Sequence, residues 1–166
     1  MPIWQNSDGL TVKLGAVEGQ AGRSGEYRTL TATRVVEVAI NLADVTSATQ
    51  TILDYNAGLD KGALIEKVEV ETVVAVTGTN ATLNLGLVRT DTTTVYDADG
   101  LGTAAALTQT AMAAVGTVLT YIKGTSNAGA LVGTILANNG ILVADYDTAA
   151  FTAGRINVRI TYSFPL

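Results

Sequence analysis

Two short stretches carry the residues best suited to chemistry. Asp97-Ala98-Asp99-Gly100 opens like a calcium-binding loop, and Asp145-Tyr146-Asp147 repeats its paired carboxylates. A calcium loop needs a third acidic or amide ligand and a distal Glu, because the ion takes six to eight oxygens. Both are missing here, so the pattern reads as Asp-rich turns, whose carboxylates bond their own backbone. Nucleophilic machinery fares worse. With 0 Cys and 0 His, Ser-His-Asp and Cys-His arrangements are excluded, together with disulfides and thiolate metal sites. A Ser-Lys or Thr nucleophile stays formally open, yet Lys13, Lys61, Lys67 and Lys123 sit in no recognisable motif. Two carboxylates can hydrolyse a glycoside, but the acids here alternate along strand faces or lie in turns.

Binding motifs are equally sparse. No phosphate-cradling GxxxxGK[ST] occurs, and residues 124–133 lack the strand–loop–helix context that such a loop needs. Asn80-Ala81-Thr82 is a glycosylation sequon without a secretory signal. Trp4, Tyr27 and Tyr55 are scattered with no basic residues interleaved, so they read as core or interface anchors and not as a base-stacking platform. A net charge of −5 gives the chain little reason to approach nucleic acid or anionic lipid. The start of the chain has no basic and apolar leader, and no apolar run approaches the twenty or so residues of a membrane helix. The expectation is a soluble, cytosolically made protein that is not an enzyme, with no cofactor and no metal.

The elements that would position these residues are strands. Residues 61–89 are the organising stretch. Val68 and Val70 alternate with Lys67, Glu69 and Glu71, and after Thr77-Gly78-Thr79-Asn80 the pattern resumes with Leu83, Leu85 and Leu87. The short Gly/Asn break predicts a β-hairpin, whose apolar face needs a second sheet to cover it. Leu10, Val12 and Leu14 predict a short strand, as do residues 26–30, and Val36, Val38, Ile40 and Leu42 predict another. Ile52, Leu53 and Tyr55 fit either a strand or one helical turn. Residues 90–102 read as turns. Residues 103–115 form the one candidate helix, since Ala104, Leu107, Ala111, Met112 and Val115 fit a helical stripe, although a Thr/Ala-rich excursion looks similar. Strands are expected at 118–122, 130–136 and 141–146, the last two joined by an Asn139-Gly140 hairpin turn. Ile156, Val158, Ile160 and Tyr162 alternate with Arg155, Asn157, Arg159 and Thr161, predicting a well-paired final strand with a cationic outer face.

Seven to nine short strands make an all-β protein, an antiparallel, jelly-roll-like β-sandwich with at most one short helix. Val38, Ile40, Val68, Val70, Leu83, Leu85, Val158 and Ile160 are its expected core. Charged residues are only 15% of the chain, with Thr, Ala and Gly filling the shortfall, which suits surfaces that meet other protein. Four glycines among residues 15–25 resist regular structure, so this stretch is a surface loop or the tether of an extended N-terminal arm. The division expected is an arm and Gly-rich loop over 1–25 and a sandwich over 26–166. Trp4, Leu10, Val12 and Leu14 would then contact a neighbour, because a strand beyond a flexible tether needs something to pair with.

Several segments resemble a family of small tailed-bacteriophage proteins that decorate or cement the head. They are Trp4-Gln5-Asn6-Ser7-Asp8-Gly9-Leu10-Thr11-Val12-Lys13, Gly25-Glu26-Tyr27-Arg28, Gly62-Ala63-Leu64-Ile65-Glu66-Lys67-Val68 and Ala81-Thr82-Leu83-Asn84-Leu85-Gly86-Leu87. Gly129-Ala130-Leu131-Val132-Gly133 and the stretch from Tyr146 to Ile156 continue the likeness, which spans nearly the whole chain. The resemblance implies a structural capsid decoration protein on the outer surface of a virion, made in the host cytoplasm. Its partners would be the major capsid protein and further copies of itself, a homotrimer first and a dimer next. Tyr27 and Arg28 join the expected partner-binding residues on this basis. The alternative is a carbohydrate-binding or adhesive sandwich of a phage fibre or cell surface.

Overall fold

A computed structural model describes residues 3–5, 11–13, 33–45, 51–53 and 58–165 of the chain. It divides into two units, Met1–Ala32 and Thr33–Leu166. In the first, strand β1 (Ile3–Gln5) pairs antiparallel with β2 (Thr11–Lys13), and Trp4 stands opposite Val12. The short strand expected around Val12 thus has a partner within its own unit.

The second unit is the sandwich. Its strands are β3 (Arg34–Asn41), β4 (Thr51–Ile52), β5 (Gly58–Leu59), β6 (Leu64–Thr77), β7 (Leu83–Arg89), β8 (Val95–Gly102), β9 (Val118–Ile122), β10 (Gly140–Tyr146) and β11 (Ala153–Ser163). One sheet has the order β3-β11-β6-β9; the other runs β4-β10-β7-β8, with β5 also paired to β10. Every described pairing is antiparallel. Apart from the β7–β8 hairpin, each connection passes from one sheet to the other, with β4 and β5 counted as one interrupted strand. That interleaving is the winding of a jelly roll.

Alternation decides which side chains meet between the sheets. Val38 and Ile40 of β3, Val68 and Val70 of β6 and Val158 and Ile160 of β11 face Leu83 and Leu85 of β7, all buried in one cluster. All eight expected core residues are there. The run Gly140–Ala144 is buried on both faces: Leu142 and Ala144 join the main core, while Ile141 and Val143 form a second cluster with Val88 on the opposite side of the sheet.

Several local expectations are corrected. Strands β6 and β7 are not a hairpin; they belong to opposite sheets, so Val68 and Leu85 meet across the core and not side by side. The hairpin is β7–β8, closed by residues 90–94, where Arg89 N–H bonds the Thr94 carbonyl at 2.9 Å. Residues 95–102, expected as turns, are therefore strand, whereas 103–115 is a chain of separate turns and not a helix. The only described helical element is a 3-10 turn at Leu42–Asp44. Buried Leu107 and Met112 pin the turns, and Thr72, itself buried, donates its hydroxyl to the Met112 carbonyl at 3.1 Å. Residues 130–136 are mostly turns that run beside the start of β6, with Leu136 N–H bonded to the Ala63 carbonyl at 2.8 Å. Asn139-Gly140 accordingly does not turn a hairpin: Asn139 accepts the Lys61 N–H through Oδ1 at 2.7 Å, and Gly140 begins β10 between Leu59 and Arg89.

Candidate functional site

Sheet register places three rows of side chains on the outer face of the β3-β11-β6-β9 sheet. Across the four strands they read Val118, Glu71, Asn157, Ala39; then Thr120, Glu69, Arg159, Glu37; then Ile122, Lys67, Thr161, Val35. Arg159 holds the middle. Its guanidinium reaches Glu37 at 3.3 Å on one flanking strand and Glu71 at 2.7 Å on the other. Both carboxylates raise the Arg159 pKa above its ordinary value, Glu37 more strongly. Lys67 pairs with Glu69 at 3.0 Å, and Asn157 donates to Glu37 at 3.3 Å.

The expected cationic face of β11 is therefore answered by its neighbours: Glu37 and Glu71 pair with Arg159, and the three rows carry two cations against three carboxylates. Both edge strands also expose aliphatic side chains: Val35 is 58% exposed, Val118 49% and Ile122 50%. A face of paired charges with exposed aliphatic side chains at its margins can form a protein–protein contact, where apolar area supplies affinity and charge supplies register.

The carboxylates of the two acidic stretches lie elsewhere. Asp97 and Asp99 are in β8 and Asp145 is in β10, not in turns; Asp147 follows directly after β10. Asp145 stands opposite Asn84, which donates to it at 2.9 Å and accepts the Ala104 N–H at 2.9 Å. Burial pushes the Asp145 carboxyl upward; Asn84 opposes this, and Asp147 and Asp99 add to it. Asp97 is likewise raised by burial and then by Asp99 beside it. Asp145 is tied to the Asn84 amide, and no described group of three or more acids is placed to hold a metal ion.

Of the expected partner-binding residues, Trp4 lies in β1 and Val12 in β2, directly opposite each other. Leu10, Leu14, Tyr27 and Arg28 fall outside the described residues. The outer face was only half visible beforehand: alternation marked Glu69, Glu71 and Arg159 as outward. Nothing local to β11 could show that Glu37, more than a hundred residues earlier, would stand beside Arg159.

No protein-family model matches the sequence, and no curated protein matches it significantly. Solved structures do. A chain of the cyanophage Pam1 capsid asymmetric unit aligns over 99% of this chain and 100% of its own, at 19% identity and a TM-score of 0.55. A chain in the capsid of Ralstonia phage GP4 aligns over 93% of this chain and 92% of its own, at 16% identity and a TM-score of 0.50. At such identities the likeness is one of fold.

Proposed function

We propose that this chain is a structural component of a tailed-phage head, a decoration or cement protein that binds the outside of the shell and ties neighbouring capsomers together. The observation that carries this reading is the end-to-end fold match to a chain of the Pam1 capsid asymmetric unit, with no large part of either chain left over. The resemblance of sequence segments to head-decorating proteins supports it independently. So does the outer face of the β3-β11-β6-β9 sheet, which has the mixed character of a contact surface.

In this role the chain works by adhesion and not by catalysis. Its partners are the major capsid protein and further copies of itself, with a trimer favoured over a dimer. Trp4, Leu10, Val12, Leu14, Tyr27 and Arg28 supply contacts from the N-terminal part, so the sandwich is held to a neighbour by a separate element. Many weak attachments on one shell reinforce each other through effective concentration.

The carbohydrate-binding alternative lacks a platform among the described sandwich residues. Tyr121 and Phe151 are buried, and Tyr96, Tyr146, Tyr162 and Phe164 pack against the core. Mixing the purified protein with phage heads that lack it, followed by sedimentation, tests the reading. Saturable co-sedimentation with the heads is expected. Specific binding on a glycan array with none to heads would replace it with the alternative.

A further inference from the structure

One end of the sandwich carries a cleft that neither the outer face nor the acidic stretches account for. Gly140 is paired on one side with Leu59 and on the other with Arg89, so Lys61 and Arg89 flank Asn138 and Asn139. Together with Thr90 and Asp91 these residues line a cleft of about 310 Å³. Lys67 and Arg159 are matched by carboxylates on the outer face, whereas Lys61 and Arg89 have no described carboxylate within ion-pair reach.

The one acid among the described residues that line the cleft is already engaged. Asp91 Oδ1 accepts the N–H groups of Thr93 and Thr94 at 2.9 and 2.8 Å, and its Oδ2 accepts the Thr94 hydroxyl at 2.7 Å. These bonds hold its carboxyl down at about 2, so it stays ionised and turned to its own hairpin. Asn139 uses its carbonyl oxygen on the Lys61 N–H, which leaves its amide N–H₂ as a donor. The cleft thus offers an ammonium, a guanidinium fork and an amide donor, against one carboxylate committed elsewhere. Two cations and one anion leave a single positive charge, which suits a monoanion better than a dianionic phosphate. No aromatic residue is among the described residues that line the cleft, so nothing there stacks a base or a sugar. A planar carboxylate matches the guanidinium fork in shape.

We infer that this cleft receives an acidic side chain, the carboxylate of an Asp or Glu presented by the shell protein to which the sandwich binds. This rests on the function proposed above and gives that contact a chemical identity. The test has two arms. In the first, the isotope-labelled full chain is titrated by NMR with acetyl-glutamate amide and, separately, with the neutral acetyl-glutamine amide. Saturable shifts at Lys61, Arg89, Asp91 and Asn139 with the first only, lost in a Lys61→Gln/Arg89→Gln variant of unchanged circular dichroism, are expected. In the second, head binding by the double variant should fall about tenfold, and the difference should shrink in high salt. Equal responses to the two amides, or equal head binding by variant and parent, would overturn the inference. If the parent itself does not bind heads, the proposed function fails, and the titration alone then decides whether the cleft takes a carboxylate.

Discussion

At the scale of single residues, burial and hydrogen bonding set clear expectations. Leu85 is fully buried between the sheets, so Leu85→Ala should cost about 2–5 kcal/mol in urea unfolding. A cost near zero would place it on the surface and flip the register of β7. The two kinds of shifted aspartate should be separable by pH. Asp145 binds its proton more tightly folded than unfolded, so the stability it contributes is present below the ordinary value of 3.8 and drains as pH rises through the raised one. Asp91 runs the other way: its contribution is present above 3.8 and is lost as pH falls through about 2. Asp145→Asn should therefore gain stability relative to the parent as pH rises above 3.8, through the range where the buried carboxyl still holds its proton. Parallel stability curves across that range would show that burial of Asp145 has no such effect.

Among the elements, the β7–β8 pair is the most constrained. Leu85 pairs with Gly102 and Leu87 with Asp97, so residues 98–101 have only Gly86 opposite them. A Cβ on Gly86 would overlap the backbone of Asp97 and Ala98. Gly86→Ala should lower stability by more than the roughly 1–3 kcal/mol typical of an overpacked core, because backbone and not a flexible side chain must yield. A neutral outcome, read from the urea midpoint, would mean that β8 does not lie against β7 there.

The same strands show what the sequence could and could not reveal. Period-two alternation in Val68–Glu71 and Leu83–Leu87 identified the strands and their buried faces correctly, since burial depends on a residue's own chemistry. It could not say whether two consecutive strands pair edge to edge or face each other, because both arrangements bury the same residues. Strand β8 was hidden because its Asp, Ala and Gly residues look like a turn; the bulge opposite Gly86 is what makes them fit. The stripe at 103–115 mimicked a helix because Leu107 and Met112 are both buried, yet Thr82, Thr72 and the turn carbonyls take up its hydrogen bonds. Of the candidate contact surface, the outward charges were readable and their pairing across β3, β11 and β6 was not.

For the whole molecule, the jelly roll of Thr33–Leu166 holds both sheets and the main core, while β1 and β2 belong to a separate unit. Deleting residues 1–14 should therefore leave the sheet signal in circular dichroism and cooperative unfolding intact, while head binding or self-association weakens. Global unfolding of that truncation would show that the sandwich depends on the segment, and unchanged assembly would show that its contacts are dispensable. The central claim, that the chain decorates the outside of a phage head, is met most directly by electron cryo-microscopy of heads incubated with the purified protein. The account predicts jelly-roll density on the outer surface where capsomers adjoin, absent from untreated heads. Heads with no added density, or density confined to tail or fibre, would contradict it.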